Sequence, residues 1–489
     1  MKIYMSRPPG EQALKTFSKL RSFLILSGVF TLLLPLAHCV YKTRLSIENT
    51  YHTKGPVIIE NVSFFSGNPD DDIKENINIL IDKGFIQKIS KSTIINPEAR
   101  IINGRGFQVL PGLVNLHTHL TSAGGPPWLT ALGDPRSNLS AYLYAGVTMV
   151  MDLFGNRAEL ADLTDDLSKS NDNIATPGFI HAGKAFTAEG GHPAAVLNER
   201  IPWLFRSYIK GKLVYEVNID SDIRTMVQEN RDSGARVTKV FIDQIPMGVK
   251  TLDEQTIKKI VTESNKLGLP VIAHIGSEED LLKALQAGVR LFAHGIYRSN
   301  LSSTTLELMA SENAVMMPTA VVWQSIADLS RNRQQFNSLD QVVIDKKVMQ
   351  SYKNPKKLDA SFQKWVDNML KFEEEKYQHI KRLHAAGVKL IVASDSPNVG
   401  VGPGSGIHRE MELWVNRAGF TPRSAVSAAT YVPGKLLEEK WSIKGHGYLK
   451  EGNVANLIVI QGDIRENISA TRNITFVMLN GRLIQRKVF

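Results

Sequence analysis

The chain has 489 residues, of which 43% are hydrophobic and 22% charged, a balance that excludes a largely disordered protein and suits one large domain with a smaller accessory unit. Its formal charge of +10 invites a nucleic-acid partner. However, Lys2, Arg7, Lys15, Lys19 and Arg21 stand against Glu11 alone at the start, and no basic cluster interleaved with aromatics follows, so that partner is set aside.

Directly after the basic head, no residue between Ser22 and Tyr41 is charged, and the run FLILSGVFTLLLPLAHCV reads as an export signal or a membrane anchor over residues 1–41. Its length approaches the ~20 apolar residues needed to cross a bilayer, although Pro35, His38 and Cys39 weaken its end. The protein is therefore expected to be exported or membrane-anchored in a periplasmic or other extracytoplasmic space, touching membrane through this segment only. Cys39, the single cysteine, follows Leu36, Ala37 and His38 in an order similar to a bacterial lipoprotein cleavage box, with His38 where Gly, Ala or Ser is usual. One cysteine permits no intramolecular disulfide.

From about Ser46 to Val109 the chain reads as short strands, PVIIENVSFF, NINILI and, after the turn Asp82-Lys83-Gly84, FIQKI. A similar set closes the chain, where NLIVI and TFVML precede RLIQ across Asn480-Gly481, a strong hairpin signal. Residues 46–109 and 440–489 are thus expected to build a small β-sandwich domain. Between them, residues 110–439 alternate apolar strands with amphipathic helices over a length suited to a (β/α)8 TIM barrel, giving an α/β fold class. One unit shows the pattern: LPVIAH, then Ser277 and Asp280 in capping-box spacing, a helix bearing Leu281, Leu282 and Leu285, Gly288 as its stop, and VRLFAH. The stretch from Trp323 to His384 is charged and reads as helices outside the barrel, its Lys and Glu runs forming a solvated face.

LPGLVNLHTHL places His117 and His119 two apart, which on a strand points both imidazoles to one face. Neutral imidazole is a common ligand for zinc-type ions. Lys239 in VTKVFID, His274 in PVIAHIG, His294 in RLFAHG and Asp395 in KLIVASD also stand at the carboxyl ends of apolar runs, which form the catalytic mouth of a barrel. Singly, each has a plain structural alternative: a core His bonded to backbone, a Lys reaching solvent, an Asp capping the next helix. Six such residues at strand ends of one barrel point instead to a site.

With these motifs, together with AGVTMVMDL, TAEGGHPA, LIVASDSP and the closing GYLKEGNVANLIVI, the chain resembles the amidohydrolase superfamily, in its imidazolonepropionase-like and dipeptidase (prolidase)-like branch, from about residue 57 to the end. The resemblance implies metal ligands at His117, His119, Lys239, His274, His294 and Asp395, and two divalent ions, with zinc expected. It also implies that CO2 converts Lys239 to a carbamate bridging them. His117, His119 and Asp395 are then expected at one ion and His274 and His294 at the other, with Asp395 the catalytic proton carrier for an activated water. Ala293 before His294 and Met151 before Asp152 depart from residues common in relatives, which leaves the subfamily open. His192, in the GGH loop, and Tyr297 are candidate substrate contacts, each with a solvent or packing role as its alternative.

The expected activity is hydrolysis of a carbon–nitrogen bond in a small-molecule substrate: an amide, a dipeptide-like compound, an N-acyl amino acid or a cyclic amide. An ester, lactone or phosphotriester at the same metals, or a non-catalytic exported binding protein on a retired barrel, are the alternatives. A homo-oligomer is compatible with this reading.

Overall fold

A computed structural model describes residues 40–41, 55–129, 132–169, 175–484 and 486. Of the expected export or anchor segment, only Val40 and Tyr41 fall within it, paired in parallel with Leu132–Gly133; the rest, including Cys39, lies outside the described residues. Among the described residues no helix is long and apolar enough to cross a membrane.

The first strands are β1 (Val57–Phe64), β2 (Lys74–Asp82), β3 (Phe85–Ser90), β4 (Arg100–Asn103) and β5 (Phe107–Pro111). Alternate residues of β1 and β2, Val57, Ile59, Ile79 and Ile81, enter a common core, as period-2 patterning requires, and the neighbouring Ile58 and Asn78 are buried as well. The β2–β3 turn holds Lys83 and Gly84 at φ 51° and 86°, and the terminal hairpin turn holds Asn480 and Gly481 at φ 51° and 73°. Both pairs are left-handed, the condition for a tight primed turn. The closing strands β16 (Leu457–Gln461), β17 (Ile474–Leu479) and β18 (Arg482–Ile484) join the opening ones in one sheet of order β18-β17-β16-β5-β1-β2-β3, with β4 on β1. Antiparallel pairing of β5 with β16 unites the two ends of the chain.

Between these lie β6 (Leu113–Thr118), β7 (Val147–Asp152), β8 (Gly178–His181), β9 (Ala185–Ala188), β10 (Val214–Val217), β11 (Thr238–Phe241), β12 (Val271–His274), β13 (Leu291–Ala293), β14 (Val315–Met317) and β15 (Lys389–Leu390). They form two parallel sheets, β8-β7-β6 and β10-β9-β11-β12-β13-β14-β15. Every residue of β6, β7, β11 and β12 is buried, the continuous apolar character of parallel strands covered on both faces. Val114, Met149, Ile180, Ile272, Leu291 and Val315, from both sheets, share one core. A parallel bridge from Thr118 to Ser396 ties the segment after β15 back to β6.

Helices α1 (Pro135–Tyr144), α2 (Ala194–Arg200), α3 (Glu278–Gln286), α4 (Ala320–Ser330), α5 (Ala360–Leu370) and α6 (Ser405–Ala418) are those that bear on the site. The expected capping box is present in α3, where Ser277 and Asp280 bond reciprocally, and Gly288 beyond it is left-handed at φ 94°. The segment around Trp323 to His384 is helical, but it is not only a solvated face. Trp323, Ile326, Phe362 and Trp365 are buried in a second core that walls the site.

Candidate active site

The ends of β6, β12 and β13, the second residue of β11 and the turn after β15 bring together the six residues singled out as ligands, so Lys239 enters the cluster from within its strand and not from the strand end. His117 is fully buried, and its ring centre lies 5.3 Å from that of His119 and 4.8 Å from that of His294. His294 in turn lies 4.1 Å from His274. Asp395 Oδ1 approaches Nε2 of His117 at 3.0 Å and Nε2 of His119 at 2.5 Å. Nevertheless neither His117 nitrogen, nor Asp395 Oδ1, nor Lys239 Nζ takes part in a directed hydrogen bond. Polar atoms without a directed partner at the centre of a core are costly, and a cation satisfies the imidazole and carboxylate members of such a set. One donor atom from each of His117, His294 and Asp395 lies within 4.8 Å of the others.

The electrostatics suit ligation. Burial lowers His117 to about 3, against the pull of Asp395, and burial, reinforced by His274, holds His294 well below the imidazole range. Both therefore keep a lone pair at neutral pH. Burial pushes the Asp395 carboxyl up, but His117 and His119 outweigh it and hold the group well below the usual carboxylate range. His119 is raised, since Asp395 and Asp152 overcome its burial. Lys239 is completely buried, which lowers its amine to about 7 even with Asp395 and Asp152 opposing.

Around the cluster stand side chains that orient it. His119 Nδ1 faces the Phe154 carbonyl at 3.2 Å, and His294 Nδ1 lies 2.7 Å from Thr319 Oγ1. His294, Thr319 and Asp395 all have left-handed backbones, at φ 71°, 48° and 54°. Such conformations are uncommon outside glycine and gather at functional sites. His274 Nε2 lies 3.2 Å from Asp243 Oδ2. Asp243 also accepts from the Tyr297 hydroxyl and, at 2.6 Å, from Arg298 Nε. A Cβ on Gly276 would meet the Asp243 carboxylate at 2.5 Å, so only glycine allows that approach.

A cavity of about 350 Å3 opens over the cluster, lined by His117, His119, His274, His294 and Asp395. His192 lines it too, half-buried, with its ring 5.0 Å from that of His274 and its Nδ1 without a partner. Tyr297 does not line this cavity. It is fully buried, stacked on Trp323 at 3.8 Å, and its hydroxyl is given to Asp243, surroundings that suit the packing alternative read from the sequence. Reading the sequence missed Asp152, Asp243, Arg298 and the aromatic wall. Asp152 and Asp243 carried a signal, each as the acidic residue closing an apolar run, VTMVMD and VTKVFID.

The amidohydrolase family model matches residues 108–484. Ochratoxinase of Aspergillus niger is 24% identical over 368 residues, covering 70% of this chain and 66% of that protein. A 5-methylthioadenosine/S-adenosylhomocysteine deaminase of Dictyoglomus turgidum is 44% identical over 64 residues, covering 13% of this chain and 14% of the deaminase. The chain thus spans less than two thirds of these curated relatives. Among solved structures, a putative prolidase from Bifidobacterium longum superposes with a TM-score of 0.64 at 22% identity, covering 88% of this chain and 95% of its own. With the family model spanning the strands that carry His117, His119, Lys239, His274, His294 and the Asp395 turn, the chain belongs to the amidohydrolase family.

Proposed function

We propose that this chain is a metal-dependent hydrolase of carbon–nitrogen bonds in small amides, the class that includes N-acyl amino acids, dipeptide-like compounds and cyclic amides. The observation that carries the reading is the convergence of His117, His294, Asp395 and Lys239 in one buried cluster, in which both His117 nitrogens, Asp395 Oδ1 and Lys239 Nζ lack a directed hydrogen bond. His117, His119 and Asp395 would hold one divalent ion and His274 and His294 a second, zinc being the natural choice for imidazole and carboxylate donors. Lys239 would serve the two ions as a carbamate, formed when its neutral nitrogen adds to CO2, a C–O π bond opening to the carboxylate as one proton leaves to solvent. An amine near 7 has the required lone pair at neutral pH.

Bound divalent ions supply Lewis acidity, which polarises a carbonyl and acidifies water. Asp395, kept ionised by its two imidazole neighbours, accepts the proton of the attacking water and passes it to the departing nitrogen. His192 contacts the substrate from the loop, and the aromatic wall excludes bulk water. On this reading the parallel strands are those of a closed (β/α)8 barrel over residues 110–439. Residues 46–109 and 440–489 then form the accessory β-sandwich, and residues 1–41 an export or anchor segment. Metal analysis of the purified protein, followed by assay against N-acyl amino acids, dipeptides and cyclic amides, tests it. Close to two ions per chain and cleavage of a carbon–nitrogen bond are expected, and a chain that binds no divalent ion and cleaves none of them overturns it.

A further inference from the structure

The wall above the imidazole cluster is built for uncharged groups. Phe154, Phe241, Trp323, Phe362 and Trp365 line the cavity with several aliphatic side chains, and among the described residues no Lys, Arg or Glu side chain lines it. The indole of Trp323 is fixed by stacking on Tyr297. Trp365 stands 6.1 Å from Trp323 and is stacked on Phe362 at 5.3 Å, so the three rings make a continuous aromatic surface.

Among the described residues, the cationic groups nearest the chamber are engaged or lie outside its lining. Arg298, behind His274, is only 9% exposed and donates at 2.6 Å to both Asp243 and Asp280. Lys357 is an exposed residue of an outer cavity of about 640 Å3, which meets the inner one at Val196 and Phe362. A free α-carboxylate sits only a few bonds from the scissile bond of a dipeptide and has to enter the inner chamber with it. There, away from the metal ions at the floor, it would lose its water and gain no side-chain cation among the described residues, an unfavourable exchange. Aryl and alkyl groups lose nothing by entering and gain ring contacts.

We infer that the preferred substrate is an uncharged amide carrying an aryl or bulky alkyl group beside the scissile bond, in preference to a free dipeptide or an N-acyl amino acid with an ionised carboxylate. The inference rests on the centre proposed above as the place where the bond is cut.

A matched pair tests it: N-benzoyl-phenylalanine amide and N-benzoyl-phenylalanine, in which a neutral carboxamide takes the place of the carboxylate next to the scissile benzamide bond. Binding of each to the metal-loaded full chain is read by quenching of tryptophan fluorescence, and turnover by release of benzoate. The neutral member is expected to bind at least tenfold more tightly. The gap should close in Leu197→Arg, which places a cation on a half-buried position of the wall. Equal or tighter binding of the carboxylate form, or no binding of either, overturns the inference. Tighter binding of the neutral form without any cleavage supports it and counts instead against the proposed reaction.

Discussion

Nε2 of His274 lies 3.2 Å from Oδ2 of Asp243, and this contact decides which nitrogen of the ring remains available. Burial works to raise the Asp243 carboxyl, but His274, Arg298 and Tyr297 outweigh it and keep it ionised. The ionised oxygen assigns the proton to Nε2 and leaves the Nδ1 lone pair free, the way a buried carboxylate orients a ligating imidazole. Asp243→Asn should therefore weaken divalent-ion affinity by roughly 10–100-fold, measured by chelator competition. Unchanged affinity would show that Asp243 only supports the fold.

Lys239→Ala removes the one amine in the cluster. Bound metal should fall from about two ions per chain towards one, and turnover by several orders of magnitude, if a bridging anion governs the reaction. Formate or acetate, small enough for the vacated space, should restore part of the activity. A variant that keeps both ions and near-normal turnover refutes the carbamate, and a single-ion site of His117, His119, His274 and Asp395 would take its place.

His192 offers an unpartnered Nδ1 at the cavity wall, while its ring has no contact with Asp395 among the described interactions. His192→Ala is accordingly expected to raise KM by about tenfold, the order of one lost hydrogen bond, with metal content unchanged by elemental analysis. Loss of metal in this variant would instead make His192 a ligand.

Glu410 on α6 is fully buried and accepts from the amides of Ala320 at 3.0 Å and Val321 at 2.7 Å and from Trp414 Nε1 at 2.7 Å. It thereby pins the start of α4, directly after the Thr319 that holds His294. Burial raises its carboxyl from 4.5 to about 7. Between those values the folded chain keeps a proton that the unfolded chain releases, so this group's contribution to stability falls as pH rises through the window. Glu410→Gln cannot titrate. The Tm of the native chain should decline relative to that of the variant from pH 4.5 to 7 in a thermal-shift series, and a constant or growing native advantage contradicts the assignment.

What could be read from the sequence was whatever its chemistry made local. His117 and His119 share a strand face by a spacing of two, Ser277 and Asp280 close a box within one helical turn, and Asn480-Gly481 turns a hairpin with its own backbone. Five of the clustered residues stood out because each stands at or just past the end of an apolar run, whereas Lys239 lies inside β11. The aromatic wall did not, since Trp323, Phe362 and Trp365 come from two helices whose spacing reads as ordinary amphipathic packing, and only the tertiary fold turns one edge of them towards the imidazoles. The direction of Tyr297 was equally hidden. Three residues beyond His294 it has no periodic constraint, and its stacking on Trp323 and bond to Asp243 are long-range.

The pairing of β5 with β16 also sets a timetable for making this protein. When Phe107–Pro111 leaves the ribosome, its partner strand Leu457–Gln461 is still roughly 350 residues from synthesis, a delay of about 20–70 s at ordinary elongation rates. Throughout that interval the opening sheet carries an uncovered apolar border, a surface open to mispairing with neighbouring nascent chains. Completion of the opening sheet thus waits on a strand made about 350 residues later, and termination upstream of Leu457 would leave that apolar border uncovered.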